Sequence, residues 1–127
     1  MPRRRRGWAV PAGGEEDLRR HSPLTVSLLE PALLILLREQ ARHGYTLLGD
    51  LENMGMGTIH PSVVYRSLRE MENLGWIESD WDLDQTQGPP RRIYRVTPQG
   101  EDALSHWKVE LQQTQELIHR LQNRINP

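Results

Sequence analysis

Six consecutive apolar residues, Ala32 to Leu37, follow Pro31. Pro31 suits the first turn of a helix, where its missing N–H costs no hydrogen bond. A helix apolar on every side is buried on more than one face. In so short a chain this predicts that one face, carrying Leu33 and Leu36, meets another subunit. Gly44 is expected to end this first helix. Leu47, Leu48, Leu51 and Met54 then recur at helical spacing and predict a second helix over 45–54, closed by Gly55 and Gly57. A third helix opens at Pro61 and runs to Leu74, with Val64, Leu68, Met71 and Leu74 as its buried stripe and Gly75 as its cap. Two short helices joined by a tight Gly-containing turn predict a helix-turn-helix.

Beyond Gly75 the period changes. Trp76 to Trp81 and Ile93 to Val96 read as two strands, and the polar, turn-rich segment between them as the tip of a β-hairpin. Helix-turn-helix plus hairpin predicts a winged helix. Thr97 is a good N-cap for a last helix, with Pro98 at its first position and Glu101 and Asp102 in its early turns. Along it Leu104, Trp107, Leu111, Thr114, Ile118, Leu121 and Ile125 alternate spacings of three and four. That is a heptad seam. A helix from Pro98 to Ile125 is about 42 Å long at 1.5 Å per residue, too long to pack fully on a winged helix of this size. A partner helix is the economical explanation. The fold expected is mainly α with a small β-hairpin wing, organised as an Arg-rich arm over 1–23, a DNA-binding winged helix over 24–97 and a dimerisation helix over 98–127.

Charge first argues against nucleic acid, since 127 residues carry a net charge of −1. A basic excess is the usual footprint of such binders. The charge is segregated, however. Residues 1–20 hold six arginines against three acids, and each later block is slightly acidic. The absence of cysteine excludes a disulfide scaffold and thiolate metal sites. Arg3 to Arg6 imitate the start of a signal peptide, but no apolar core follows them. The most apolar stretch, Leu24 to Leu37, contains Glu30 and Pro31 and falls short of the roughly 20 residues of a membrane span. The expectation is a cytoplasmic protein without membrane contact.

With Val64, Leu68 and Met71 facing the core, Ser62, Tyr65, Arg66, Arg69 and Asn73 share the opposite face of the third helix. Hydroxyl and guanidinium groups of this kind bond to phosphates, and arginine pairs bidentately with guanine. A plain solvated face is the competing reading, helped by Glu70 and Glu72. Arg91 and Arg92 follow a Gly-Pro-Pro bend and suit phosphate or a narrow minor groove, against which Asp80, Asp82 and Asp84 stand as neutralising partners. The mobile basic arm would add salt-dependent affinity. Trp107 on the assembly seam is read first as core packing and second as a flat platform for an effector. The five histidines are scattered with no helical zinc spacing, and no phosphate loop or nucleophile elbow is present. No cofactor and no catalytic function are expected.

Several motifs in order resemble the PadR-like transcriptional regulators. His43-Gly44-Tyr45 is similar to the family's segment entering the second helix. Pro61-Ser62-Val63-Val64-Tyr65 with Leu68-Arg69-Glu70-Met71-Glu72-Asn73-Leu74-Gly75 resembles its recognition helix. Gly88-Pro89-Pro90-Arg91-Arg92-Ile93-Tyr94-Arg95-Val96-Thr97-Pro98-Gln99-Gly100 resembles its wing and exit. The single last helix looks like the family's short branch. The resemblance implies a homodimer on duplex DNA, usually a repressor on an inverted repeat, released by a small-molecule or protein signal. It implies that Ser62, Tyr65, Arg66, Arg69, Arg91 and Arg92 face the DNA. The dimer contacts expected from the apolar first helix and the heptad seam are Leu33, Leu36, Leu104, Trp107, Leu111, Ile118, Leu121 and Ile125. In one multidrug-sensing member type a Trp of the last helix stacks on flat drugs between subunits, and Trp107 falls at a similar place. Ser62-Val63 departs from the family's Gly-Thr, and His60 stands where a Ser cap is usual and is read as a poorer cap. The reading from another class is a winged-helix adaptor that binds protein instead of an operator.

Overall fold

The computed structural model describes residues 23–84, 88 and 91–126. The arm read over 1–23 lies outside the described residues apart from Pro23, as do Pro89 and Pro90 of the wing. The described chain runs α1 (Pro23–Ser27), α2 (Leu29–Glu39), β1 (Arg42–His43), α3 (Gly44–Asn53), α4 (Pro61–Asn73), β2 (Ile77–Asp82), β3 (Arg91–Val96) and α5 (Pro98–Ile125).

The apolar run forms α2, and α2 is the centre of the molecule. It packs against α1, α3, α4, β3 and α5 of the same chain. Leu33 is 0% exposed and Leu36 6%. The expectation that they face another subunit is therefore corrected: the chain's own elements cover both side chains. Each buried leucine contributes roughly 1.5–3 kcal/mol. Gly44 does not end this helix. α2 stops at Glu39, Gln40 is extended, and Arg42 and His43 pair with β3 before Gly44 opens α3.

α3 and α4 form the helix-turn-helix through Leu47, Leu51, Val64, Leu68 and Met71, all buried. Both helices end alike. The Met56 N–H bonds to the Leu51 carbonyl and Gly55 to Glu52, while Trp76 bonds to Met71 and Gly75 to Glu72. Such double closure needs a left-handed residue, supplied by Gly55 (φ 90°) and Gly75 (φ 81°). Met54 and Leu74, expected in the buried stripes, are exposed. Each is the C-cap of its helix, past the last residue that packs into the core. His60 is a working cap, since its Nδ1 accepts the Ser62 N–H at 3.1 Å.

The sheet has the order β1-β3-β2, both pairings antiparallel. β1 is two residues long and carries no period a sequence can show. α5 starts at a three-way junction. The Thr97 hydroxyl donates to the Gly75 carbonyl at 2.6 Å and accepts the Gly100 N–H at 3.1 Å, while the Thr97 N–H donates to the Trp76 carbonyl at 3.0 Å. The end of α4 and the start of α5 are thereby tied. Leu104, 7% exposed, belongs to the core, which corrects its reading as a dimer contact. Further along the seam Trp107, Leu111 and Thr114 are half-buried, and Ile118, Leu121 and Ile125 are exposed.

Candidate nucleic-acid interface

The polar face of α4 is solvent-facing. Ser62, Tyr65, Arg66, Arg69 and Asn73 are all exposed, and neither Arg66 nor Arg69 has an ion pair among the described residues. Tyr65 leans inward. A Cβ on Gly44 would stand 2.7 Å from Tyr65 Cε1, so the bare backbone at Gly44 makes room for this ring. Two turns further along the same edge of α4, Glu72 accepts a hydrogen bond from the Ser79 hydroxyl at 2.7 Å, which ties the helix to the wing.

The wing arginines divide by partner. Arg95 Nη1 pairs with Asp80 Oδ2 at 2.9 Å. Arg91 lies over the Tyr45 ring at 4.4 Å, and Arg92 over the Trp81 ring at 4.7 Å. Neither Arg91 nor Arg92 has a carboxylate partner among the described residues. Asp82, the cross-strand neighbour of Arg91, engages His43 Nε2 at 2.8 Å and also accepts the Asp84 N–H. The neutralisation of both arginines by the wing's acids, weighed from the sequence, is thus absent. Arg42 is likewise spent on Asp50 and Glu39.

Between α4 and the wing lies a hollow of about 550 Å³, lined by His43, Tyr45, Tyr65, Arg91, Arg92 and Tyr94 beside Gly44. It brings the recognition-helix candidate Tyr65 together with both wing candidates. Burial, and secondarily the Glu72 carboxylate, raises the Tyr94 pKa above the ordinary phenol value. Tyr45, Trp81 and Tyr94 were not singled out from the sequence. The motif containing Tyr45 was visible, but its approach to Arg91 follows from the β1–β3 pairing.

Two further surfaces involve α5. A pocket of about 430 Å³ is floored by Trp76, Ala103 and Trp107 and edged by Gln99, Asp102, His106 and Glu110. A groove of about 750 Å³ runs between Leu28 and the later seam, past Leu111, Thr114 and Ile118. Among the described residues no group of three or more His, Cys, Asp or Glu is gathered to hold a metal ion, and no helix is long and apolar enough to cross a membrane.

The family model described as the transcriptional regulator PadR-like family matches residues 33–106, from the core of α2 through the winged helix to the first turns of α5. The chain belongs to the PadR-like family. This PadR-like chain is 32% identical over 84 residues to a Mycobacterium tuberculosis protein named as a probable transcriptional regulator. That match takes in 65% of this chain and 44% of the relative, so the chain spans under half of its length. A PadR family transcriptional regulator from Eggerthella lenta superposes with a TM-score of 0.72 at 25% identity, over 87% of this chain and 95% of that one. A Streptococcus transcriptional regulator gives 0.61 at 28% identity, over 78% and 93%. The mainly helical fold with a small antiparallel wing and a long last helix is the PadR winged helix, and the family is one of transcriptional regulators, not of enzymes.

Proposed function

We propose that this PadR-like regulator is a homodimeric repressor that binds an inverted-repeat operator in duplex DNA. Its winged helix over 24–97 reads the DNA, and its last helix, over 98–127, assembles the dimer. Ser62, Arg66 and Arg69 enter the major groove, with Tyr65 at the edge of the helix. Arg91 and Arg92 lie on the backbone or in the adjacent minor groove. The observation that carries this reading is the meeting, at one hollow, of Tyr65 from α4's exposed polar face with Arg91 and Arg92, which have no carboxylate partner among the described residues. A chain of net charge −1 has no polycationic affinity to rely on. Arg66, Arg69, Arg91 and Arg92 must therefore be placed correctly, and in a dimer they are placed twice.

Trp107, Leu111, Ile118, Leu121 and Ile125 form the dimer seam in this reading, supported by the growing exposure of apolar side chains along α5. Two recognition helices then sit about 34 Å apart, one DNA turn, or a multiple of it. The pocket at Trp107 receives the effector. Trp76 lines it and holds Thr97 through its carbonyl, so a change there alters the angle between α5 and the end of α4. Footprinting on DNA flanking the protein's own gene tests the reading. Protection of two symmetric half-sites supports it, and no binding to genomic fragments at low salt favours the protein-adaptor reading.

A further inference from the structure

A wing arginine can be anchored in two ways, with opposite consequences for an anionic partner. An ion pair fixes the side chain but cancels its charge, as Asp80 does for Arg95. An aromatic face fixes it by the ring quadrupole and leaves the charge whole. Arg91 and Arg92 have the second kind of anchor, at 4.4 Å from Tyr45 and 4.7 Å from Trp81. The two rings come from different places. Trp81 is the cross-strand partner of Arg92. Tyr45 sits in the first turn of α3, two residues beyond His43, which pairs with Ile93.

His43 completes the arrangement. The strand register sets Asp82 directly across from Arg91, where it would make an ion pair. Asp82 instead reaches His43 Nε2, and the His43 ring stacks on Tyr45 at 5.6 Å and 24°. His43 thus draws off the acid and steadies the ring beneath Arg91. Core packing does not account for the two rings, because Tyr45 is 52% exposed and Trp81 57%.

We propose that Tyr45 and Trp81 are positioning residues for DNA binding, holding Arg91 and Arg92 charged and ordered before the duplex arrives. Ordering a flexible arginine in advance removes part of the entropy lost on docking. The inference rests on the DNA-binding reading above.

Fluorescence anisotropy with the full chain tests it, using a labelled duplex from the region flanking the protein's own gene and an unrelated duplex of equal length. Tyr45→Leu and Trp81→Leu should each weaken binding roughly two- to fivefold on both probes. Tyr45→Phe and Trp81→Phe, which keep an aromatic face, should retain most of the affinity. The deciding measurement is the double-mutant cycle. Tyr45→Leu should cost nothing further in an Arg91→Ala background, nor Trp81→Leu in an Arg92→Ala background. Full affinity in the leucine variants, or an equal loss in the alanine backgrounds, overturns the proposal. Tyr45→Gln and Trp81→Gln repeat the cycle if the leucine variants aggregate. A wild-type chain that binds neither probe at low salt strikes down the DNA-binding reading itself, whereas tight wild-type binding with unaffected leucine variants strikes down only this inference.

Discussion

Gly44 and Gly100 look alike in a sequence but are held by different neighbours. A Cβ on Gly100 runs into the Trp76 carbonyl oxygen and stands 2.6 Å from Val96 Cγ2. Backbone cannot step aside there, so Gly100→Ala should lower stability by about 1–3 kcal/mol or more, read by thermal melting. The nearest neighbour of a Cβ on Gly44 is instead the far end of the Tyr65 side chain, not backbone. Glu30 supplies a second test at this scale. Burial, then the nearby Glu70 carboxylate, raises its pKa above the ordinary 4.5. The folded state therefore holds this proton more tightly than the unfolded chain. The resulting stability is complete below the unfolded pKa and is lost as pH rises through the folded one. Glu30→Gln should melt higher than wild type at neutral pH, with the gap closing on acidification through the carboxylate range.

At the scale of elements, α4 and the wing have separable tasks in the proposed complex. Arg69 belongs to the helix that reads bases, so Arg69→Ala should weaken operator binding by about 1–3 kcal/mol and relax sequence preference if the guanidinium reaches a base edge. Arg91→Ala with Arg92→Ala should lower the salt slope of binding by about two if both contact phosphate, with similar losses on any sequence. Titration at several salt concentrations separates the two outcomes. The two elements also share a frame, because Glu72 of α4 bonds to Ser79 of β2 and Thr97 bonds to Gly75 at the end of α4. The apolar stripes of α3 and α4 and the closing glycines were legible in the sequence, since a helix writes its buried face into its period. β1 was not, because two residues have no period and their pairing depends on where β3 lies.

For the whole molecule the decisive contrast is between α2 and α5. The apolar α2 is covered by its own chain, while the amphipathic α5 leaves Ile118, Leu121 and Ile125 of its seam exposed. Leu33→Ala should cost about 2–5 kcal/mol of stability and act inside the subunit. Leu111→Asp with Ile118→Asp should instead leave the winged helix folded and give monomers in sedimentation. A dimer that persists would mean that the seam does not hold the subunits together.

The sequence by itself determined the order and kind of the long elements, the heptad seam and the family motifs, because local periods and capping residues are properties of neighbouring positions. It also determined that 17 acids stand against 16 lysines and arginines. Only the tertiary structure decided which of the arginines are free. Arg42 and Arg95 meet carboxylates while Arg91 and Arg92 lie on aromatic rings, and Asp82 is taken up by His43. It likewise decided that Leu33, Leu36 and Leu104 belong to the core. The physical reason is the same in both cases. Charge pairing and burial depend on distances between residues far apart in the chain, and those distances exist only once β3 lies between β1 and β2 and α2 is enclosed.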